Sequence, residues 1–399
     1  MKQDCHKTPK PTDRGSILIA ARNLKMAQSA HAYVRGNTAK FYEWLDGLGR
    51  GVLPDGPAAW ICGDCHVGNL GPVANAHGHV EILIRDLDQT VIGNPAHDLV
   101  RLGLSLASAA RGSDLPGLTT VRIIEQITEG YETAFDPDAP PPQRPVAVKL
   151  AMRQALGRSW KHLARERIRD TKPSIPLGKR FWPLSDAERT ETAALFAEPS
   201  LRRLVTSLKS RDDNAAVEVV DAAYWMKGCS SLGRLRLAVL LEVSNGGAAE
   251  QCLIDIKEAV QAAAPRSTDA RMPRDNAERV VEGARHVAPG LGERMRAERL
   301  LDRSVFVREL RPQDLKLEIG QLTQGEAMLS ARYLAAIVGR AHARQMDPPT
   351  QRRWLAELRR NRTKSLDAPS WLWSAVVELV ASHEAAYLDH CRRYTTEAA

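Results

Sequence analysis

The amino-acid sequence predicts an α+β protein that combines a small antiparallel sheet with a larger helical part. Apolar residues recur at helical spacing through most of the chain. Between about residues 215 and 310, segments rich in Val, Ile and Leu are instead separated by glycine turns, which is typical of strands. The length of 399 residues, with 43% hydrophobic and 26% charged residues, is that of an ordinary globular protein and favours about two to three structural units.

The first half of the chain is predicted to be helical, with one hairpin. Turn residues Pro54–Pro57 follow the first helical segment, and the apolar run Ala58–Cys62 comes next. Asn75–Gly78 separates two short apolar segments, which indicates a hairpin. In chain order, the pattern predicts helices over Ser16–Leu48, hairpin strands at Leu70–Val73 and Val80–Ile84, helices over Asp98–Phe135, and helices over 146–208 that are interrupted at Lys172–Pro176.

A three-stranded antiparallel meander is predicted next. Its glycine turns are Gly228–Gly233 and Ser244–Gly247. A helix follows from about Asp275, because the Asp275 side chain can cap it. The predicted elements are strands at Val217–Met226, Leu232–Val243 and Gln251–Ile256, the helix from Asp275, a strand at Val305–Leu310, and helices from Glu326 to the end.

The composition excludes several classes of protein. No run approaches the ~18 apolar residues that a membrane-spanning helix needs, and no signal-peptide core follows the N-terminus, so we expect a cytoplasmic protein without a membrane partner. The six cysteines are expected to be free thiols. The net charge of +8 includes 42 Arg, which suits bidentate contact with phosphate or carboxylate. This charge indicates either an anionic ligand or solvated helix faces.

The densest polar cluster follows the run Ala58–Cys62. It contains Asp64, His66 and Asn69, and the predicted hairpin then leads to Asp86 and Asp88. In kinase-type phosphoryl transfer, a catalytic-loop Asp takes the proton of the acceptor hydroxyl, while an Asn five positions later and a further Asp hold Mg²⁺. Asn69 lies five positions after Asp64, and Asp86 follows the second hairpin strand. The spacing therefore predicts phosphotransfer chemistry with a magnesium site.

The meander supplies the other half of such a site. Kinases cover the nucleotide phosphates with a glycine-rich turn between two strands and place a Lys on the third strand. Here Gly228–Gly233 joins the first two predicted strands, and Lys257 ends the third. Strand alternation puts Leu253, Asp255 and Lys257 on one face. Lys257 can therefore reach phosphates while the opposite face packs.

The order of these parts is the reverse of an ordinary kinase, since the catalytic cluster precedes the glycine turn. A circular permutation resolves this, and the predicted helix Leu329–Met346 then supplies the long helix that normally precedes a catalytic loop. We therefore expect a permuted, two-lobed kinase-like fold, in which Lys257 and Asp64 face one cleft. The expected units are a catalytic, mainly helical lobe over residues 1–212, a small nucleotide-binding lobe over 213–316, and helices over 317–399 that return to the large lobe.

The chain also resembles a bacterial family known as domain of unknown function 2252 over nearly its whole length. The segments that carry the resemblance are Val34–Gly36, Gly63–Asn69, Asp86–Asp88, Asp98–Leu102, Gly228–Gly233, Ile256–Ala259, Arg279–Gly283 and Val307–Leu310. The first part is also similar to aminoglycoside and choline phosphotransferases, where a Gly-Asp-x-His-x-x-Asn loop precedes a magnesium Asp and a Pro-x-x-Asp-Leu segment, here Pro95–Leu99. This resemblance implies a kinase-like fold but no particular acceptor. The family's turn tends to carry glycine at the position of Ser230, which leaves less room for close backbone approach to phosphate.

The expected activity is transfer of the γ-phosphoryl group of ATP to a small hydroxylated acceptor, with Mg²⁺. Each candidate residue has an expected role. In the catalytic loop, Asp64 orients and deprotonates the acceptor and His66 stabilises the loop. Asn69 and Asp86 hold Mg²⁺, and Asp88 supports that site. Lys257 contacts the α- and β-phosphates and pairs with Glu282, or with Glu278 in its place, while Gly228, Ser230, Ser231 and Gly233 cover the phosphates. Arg35, Asp98 and Arg101 act as anion contacts or support the site.

Several alternatives remain at this point. A pseudokinase would keep the fold and bind nucleotide without transfer. Cys62, Cys65 and His66 match the C-x-x-C-H pattern of covalent haem attachment. The same residues with His77 or His79 could form a zinc site, although a second pair of soft ligands is missing at the usual spacing. The basic stretch Arg158–Arg169 could contact nucleic acid, but a solvated helix face is the favoured interpretation.

Overall fold

The structure is a computed structural model that describes residues 9–167, 174–207, 211–244, 249–317, 323–360, 362–363 and 366–395. These residues form a mixed α and β protein with fourteen α-helices, and all its paired strands are antiparallel. Residues 245–247 of the predicted turn and Lys172 and Pro173 of the predicted interruption lie outside the described residues.

The chain begins with helices and two small antiparallel strand pairs. In order, the elements are α1 (Pro11–Met26), α2 (Ala30–Gly36), α3 (Thr38–Asp46), β1 (Ala59–Ile61), a 3₁₀ turn (Val67–Asn69), β2 (Leu70–Ala74), β3 (Val80–Ile84), β4 (Val91–Gly93), α4 (Ala96–Arg111) and α5 (Gly117–Thr133). Strand β1 pairs with β4, and β2 pairs with β3 so that Leu70 faces Ile84. The predicted hairpin is confirmed.

The middle of the chain forms a six-stranded sheet with helices packed on it. Its elements are α6 (Val146–Leu156), α7 (Trp160–Arg167), β5 (Phe181–Pro183), α8 (Asp186–Ala197), α9 (Pro199–Thr206), β6 (Ala216–Trp225), β7 (Arg236–Ser244), β8 (Glu250–Glu258), α10 (Asn276–Val287), α11 (Pro289–Gly292), β9 (Met295–Leu300) and β10 (Arg303–Leu310). The strand order is β5-β6-β7-β8-β10-β9, so the predicted meander of β6, β7 and β8 is confirmed.

Three helices and a short strand pair complete the chain. They are α12 (Gln324–Ala343), α13 (Pro348–Arg359), β11 (Arg362–Thr363), β12 (Leu366–Pro369) and α14 (Ser370–Thr395). Just beyond α12, the Gln345 side chain accepts a hydrogen bond from Trp60 N at 2.9 Å and donates one to Trp60 O at 3.0 Å. The helix predicted at Leu329–Met346 therefore lies beside the strand that leads into Gly63.

Helix α10 begins where the sequence predicts. Asp275 Oδ1 accepts hydrogen bonds from Ala277 N at 2.8 Å and Glu278 N at 3.0 Å, which satisfies two of the unpaired N–H groups of the first turn. A cap of this kind contributes about 1 kcal/mol. It also fixes where the helix starts, and therefore which of its residues face the rest of the protein.

The apolar residues form one large core and two smaller cores against the sheet. The large core joins the helices of both chain ends to the two small strand pairs. One small core packs helices α8 and α9 on one face of the sheet. The other packs Leu163 of α7, Ile175 and Phe181 on the opposite face, which is also the face of Leu253. Trp160 packs against this last core, so the apolar side of the basic helix α7 is a packing surface.

Some elements were not predicted. Strand β5 was expected to be helical, but Phe181 and Trp182 pair with Trp225 and Tyr224 at the sheet edge. Strand β9 alternates charged and apolar residues only weakly, and its partner β10 determines its conformation. The second meander strand begins at Arg236 and not at Leu232, because the turn is longer than its glycines suggest. Among the described residues, no helix is long and apolar enough to cross a membrane.

Candidate functional site

Residues 62–69, which run from the end of β1 through the 3₁₀ turn, are here called the catalytic loop after their expected role, and a chain of buried polar side chains holds them. Asp98 of α4 accepts hydrogen bonds from Cys62 N at 2.7 Å and Gly63 N at 3.0 Å. His342 Nε2 of α12 lies 3.2 Å from the same carboxylate, and Tyr131 OH lies 2.9 Å from His342 Nδ1. These side chains are almost wholly buried, so they fix the backbone on which the candidate catalytic residues stand. The predicted supporting role of Asp98 agrees with this geometry, and His342 is a structural histidine.

Asp64 lies in this loop against Arg101. Arg101 Nε donates to Asp64 Oδ1 at 2.9 Å, and Arg101 Nη2 donates to Val34 O at 2.6 Å. Burial raises the pKa of Asp64, and the Arg101 guanidinium offsets only part of this shift. Asn69 Nδ2 donates to Asp64 O at 2.9 Å, which ties the two ends of the loop together. Asp64 is thus a positioned carboxylate with an increased affinity for protons.

His66 and Arg35 lie on the same loop surface. His66 Nε2 lies 3.7 Å from Asp64 Oδ2. Burial and the charges of Arg101 and Arg35 hold the pKa of His66 well below its usual range, so its ring is neutral. The Arg35 guanidinium packs so closely on Gly68 that a Cβ there would lie 2.7 Å from Nη2. A side chain at position 68 would therefore displace the Arg35 guanidinium from its present place on the loop.

Asp86 and Asp88 meet Lys257 of strand β8. Lys257 Nζ lies 3.1 Å from Asp86 Oδ1 and forms a still shorter ion pair with Asp88 Oδ2. The Lys257 side chain is 3% exposed, whereas that of Asp86 is 44% exposed. A lysine of the sheet and two carboxylates of the loop after β3 therefore come together from distant parts of the chain.

The two carboxylates differ in proton affinity. Burial acts to raise the pKa of Asp86, but the Lys257 ammonium overcomes it and holds that pKa well below its usual range. Burial and the neighbouring charge of Asp86 raise the pKa of Asp88 to about 6. The pKa values of two carboxylates that share one cation differ in this way because the charge on one disfavours ionisation of the other. Asp88 Oδ1 is also buried without a hydrogen-bond partner among the described residues.

The glycine turn, residues 228–233, connects β6 to β7. Gly228 has a φ of 95°, a left-handed conformation that suits glycine, and a Cβ there would lie 2.5 Å from Ser231 Oγ. Lys25 Nζ of α1 donates to Gly228 O at 2.8 Å, and Ser231 Oγ donates to Lys227 O at 3.1 Å. Gly233, also at positive φ, packs near Ile19 of α1.

A narrow cleft of about 10 Å³, the space of roughly one water, joins these parts. Its walls are Thr38, Asp64, Asn69, Asp86, Asp88, Gln89 and Ser230. The catalytic loop, the loop after β3 and the glycine turn therefore face one another. Lys257, which was expected to reach the same cleft as Asp64, does not line it directly but contacts Asp86 and Asp88, which do.

The expected Lys257–Glu282 pair does not form. Glu282 Oε2 lies 3.1 Å from Arg285 Nη1, and Glu282 Oε1 lies 3.6 Å from His286 Nδ1. Glu278, the alternative partner, is an exposed residue of the first turn of α10. The sequence pattern could not reveal this, because Asp86 and Asp88 approach Lys257 only in the folded protein.

A different side chain, Arg279, connects α10 to the loop. Arg279 is 1% exposed. It donates to Asp88 O at 3.0 Å and to Val260 O at 2.9 Å, and it forms a further short hydrogen bond with Thr90 O. Arg279 thus fixes the backbone of the loop that carries Asp88. The sequence signal for this role was an arginine on the apolar side of a helix, beside Val280.

Sequence reasoning also missed a charge cluster beside Lys257. Asp255 is fully buried and accepts two hydrogen bonds from Arg236, at 2.8 and 2.6 Å. Arg308 Nη2 donates to Asp255 Oδ2 at 3.1 Å, and Arg308 Nη1 donates to Arg85 O at 3.2 Å. The cluster connects the sheet to the residue before Asp86. A carboxylate on the Lys257 face of a buried strand was the available signal, since a buried charge needs partners.

Lys316 is a further cation near the site. Burial, together with the charges of Arg35 and Arg85, lowers the pKa of Lys316 to about 8. Asp86 acts in the opposite direction on this pKa. Three cations are therefore close to one another on this side of the site, namely Lys316 of the linker after β10, Arg35 of α2 and Arg85 of the loop after β3.

The two cysteines of the catalytic loop are part of the large apolar core. Cys62 and Cys65 are fully buried. A hydrogen bond with Cys65, together with burial, raises the pKa of the Cys62 thiol, and burial raises the pKa of Cys65 although the same hydrogen bond acts to lower it. Covalent haem attachment requires thiols that reach the edge of a porphyrin, and thiols within the core do not meet that requirement. Among the described residues, no group of three or more His, Cys, Asp and Glu side chains is arranged to hold a metal ion.

The fold and the site define a mixed α and β protein with an acidic cleft closed by a lysine of its sheet. The family described as "Uncharacterized protein conserved in bacteria (DUF2252)" matches residues 14–393. The chain belongs to this family. A search of curated proteins and a search of solved structures each find no match.

Proposed function

We propose that the protein is an ATP-dependent phosphotransferase with a two-lobed, circularly permuted kinase-like fold. The observation that carries this proposal is the meeting of Lys257 with Asp86 and Asp88 at the cleft that Asp64, Asn69 and Ser230 also line. Kinases need these residue types together because positioning and charge supply nearly all of the catalysis. Neither haem attachment nor a zinc site accounts for all of these residues at once.

The order of elements supports the fold part of the proposal. The glycine turn lies between β6 and β7, Lys257 lies on the next strand, β8, and helix α10 follows. Kinases have the same succession of glycine-rich loop, lysine strand and helix αC. Helix α12 comes after the sheet in the chain yet holds the catalytic loop through His342. A circular permutation accounts for this arrangement.

The residues at the cleft fit Mg²⁺. Asn69, Asp86 and Asp88 offer amide and carboxylate oxygens, which are the ligands that this hard cation prefers. The buried Asp88 Oδ1 has no hydrogen-bond partner among the described residues, and Lys257 already occupies a cation position between the two carboxylates. When bound, Mg²⁺ would neutralise charge on the phosphate oxygens.

Asp64 performs the proton chemistry in this proposal. The acceptor hydroxyl hydrogen-bonds to the Asp64 carboxylate, and its oxygen attacks the γ-phosphorus as the bond to the β-phosphate oxygen breaks. The hydroxyl proton passes to Asp64, and ADP leaves with the bonding electron pair. The raised pKa of Asp64 favours this transfer, and Arg101 keeps the carboxylate in place.

Lys257 and the glycine turn bind the nucleotide phosphates. Lys257 exchanges its carboxylate partners for the α- and β-phosphates, and Ser230 and the backbone of the glycine turn cover them. A cleft of about 10 Å³ is too small for a triphosphate, so nucleotide entry requires the glycine turn to move away from the catalytic loop. Arg279 holds the loop of Asp88 on the sheet side during this movement.

Replacement of Asp86 by Asn tests the proposal. Loss of the negative charge should abolish transfer and weaken ATP binding mainly when Mg²⁺ is present. ATP binding is measured by calorimetry with and without Mg²⁺, followed by an acceptor screen and a melting temperature. Asp138→Asn, at an exposed position, is the matched control. Unchanged turnover in a folded Asp86→Asn protein would remove the metal assignment.

A pseudokinase is the second candidate, and one observation favours it. Lys257 is already neutralised by two carboxylates, so nucleotide has to compete with an existing buried ion pair. Magnesium-dependent ATP binding without turnover on any acceptor would support a pseudokinase. Release of ADP that depends on Asp64 would support the phosphotransferase.

A further inference from the structure

We infer that the acceptor is a hydroxylated molecule with an anionic group, a phosphate or a carboxylate, and that it binds in a large cavity beside the cleft. This inference rests on the proposed function. The cavity has a volume of about 530 Å³, which is within the range of small-molecule sites. It shares Thr38, Gln89 and Ser230 with the cleft that Asp64 lines. A molecule in the cavity can therefore extend a hydroxyl group towards Asp64.

The charges that line the cavity favour an anion. Arg22, Arg234 and Arg393 line it, and none of these three side chains forms an ion pair within the part of the chain that the structure describes. The acidic groups of the lining already have partners. Glu43 pairs with Lys40 at 3.3 Å, and Asp389 pairs with Arg392 at 2.8 Å. The cavity therefore contains guanidinium groups that have no neutralising carboxylate.

Arg22 is the best placed of these cations. It belongs to α1, and its Nε is buried without a hydrogen-bond partner among the described residues. Three positions further along α1, Lys25 donates to Gly228 O of the glycine turn. The helix that presents Arg22 is therefore attached to the element that covers the cleft. A buried guanidinium nitrogen without a partner is costly unless a ligand satisfies it.

Three aromatic rings form part of the wall of the same cavity. The rings of Tyr33 and His390 have centroids 5.2 Å apart, and those of His390 and Tyr394 are 4.7 Å apart. All three residues line the cavity. Aromatic side chains provide an apolar surface with a polar edge, which suits the face of a cyclic polyol. A cyclic polyol with one anionic substituent matches both this wall and the unpaired arginines, whereas a cationic amino sugar would be repelled by them.

Binding measurements without nucleotide test the inference separately from phosphotransfer. The probes share the glucose scaffold and fall into three charge classes: glucose 6-phosphate and glucuronate are anionic, glucose is neutral, and glucosamine is cationic. Matched ribose and inositol compounds and their phosphates extend the set. Binding is followed by ligand-observed NMR and calorimetry at millimolar concentration. Arg22→Gln and Arg234→Gln are compared with Arg153→Gln, an exposed position on α6 outside the cavity. Inorganic phosphate serves as a competitor that carries the anionic group alone.

Anionic members should bind more tightly than neutral and cationic members, and Arg22→Gln and Arg234→Gln should each weaken that binding by about tenfold to a hundredfold. Anion binding and ATP binding should both be unchanged in the control Arg153→Gln. Equal or tighter binding of glucose or glucosamine, absence of binding by every anionic probe, or no effect of both arginine variants would overturn the inference. Arginine-dependent anion binding without any ATP turnover would support the site and count against the phosphotransferase.

Discussion

The catalytic loop and the glycine turn face the same cleft but are held in different ways. In the catalytic loop, Asp64, His66 and Asn69 are 4 to 8% exposed. The Asp98 carboxylate accepts two hydrogen bonds from the backbone of this loop. Most residues of the glycine turn are half-buried, and its hydrogen bonds are local apart from that of Lys25. One side of the site is therefore built into the core, and the other side lies on the surface.

Under the proposed function, this difference suits distinct roles for the two sides. A carboxylate that moves a proton must be placed to within a fraction of an ångström, and burial in a hydrogen-bonded core provides that placement. A turn that covers phosphates has to open for entry and product release, so it has to be weakly held. Substitutions in the loop support should therefore affect stability and chemistry together, whereas substitutions at the tip of the turn should change nucleotide affinity alone.

The largest effect is expected for Asp98→Ala. The substitution leaves the N–H groups of Cys62 and Gly63 and the ring of His342 without their buried acceptor. The free energy of unfolding should fall by about 3–5 kcal/mol, and turnover should fall by at least about a hundredfold. Urea unfolding and ADP release measure the two effects. Asp213→Ala, at an exposed position, provides the control. A fully stable Asp98→Ala protein would show that the loop needs no support from α4.

Lys257→Met should have an intermediate effect that depends on pH. It removes the cation between Asp86 and Asp88, so the free energy of unfolding at pH 7 should fall by about 2–3 kcal/mol. This decrease is smaller than for a fully buried ion pair because Asp86 is partly exposed. The pKa of Asp88 is already raised to about 6, so its ionised form disfavours the folded state above that pH. Because the Lys257 ammonium lowers the pKa of Asp88, its removal should raise that pKa further, so acidification from pH 7 to 5 relieves more repulsion in the Lys257→Met protein than in the wild-type protein.

The difference in unfolding free energy between Lys257→Met and the wild-type protein should therefore shrink between pH 7 and pH 5. Urea unfolding at several pH values measures it, with Lys149→Met as an exposed control. Below about pH 4 the wild-type protein should in turn lose the stability that Lys257 gives to ionised Asp86, because the pKa of Asp86 is depressed. A difference that stays constant across this range would contradict the coupling of the two carboxylates.

The smallest effect is expected for the turn. Ser230→Ala removes a hydroxyl at the wall of the cleft and should raise the KM for ATP by about two- to fivefold, with stability unchanged to within about 0.5 kcal/mol. Ser231→Ala is the informative partner, because Ser231 Oγ is bonded to Lys227 O within the turn. Ser231→Ala should cost about 1 kcal/mol of stability. Steady-state kinetics measures the KM for ATP of both variants, and thermal melts measure their stability. Equal changes in KM and in stability for the two variants would contradict the different roles of Ser230 and Ser231.

Local patterns predicted most of the elements. The hairpin β2–β3 and the meander β6–β8 were predicted because strand alternation and glycine turns act over a few residues. The cap at Asp275 was predicted for the same reason. Strands β5 and β9 were not predicted, because each is a short segment whose conformation depends on a neighbouring strand. Such strand pairing is a property of the assembled sheet, and the sequence of a short segment does little to indicate it.

The residue types of the candidate site and the spacing of Asp64, Asn69 and Asp86 follow from the amino-acid sequence, since these residues lie within one continuous segment. The sequence also determined that Lys257 points to one face of its strand. The partners of these side chains depend on how the chain packs. Lys257 pairs with Asp86 and Asp88 and not with Glu282, Arg279 holds the loop of Asp88, and Arg22 and Arg234 meet at one cavity. Ion pairs between distant segments depend on distances of 3 to 4 Å, and such distances exist only after the chain has packed.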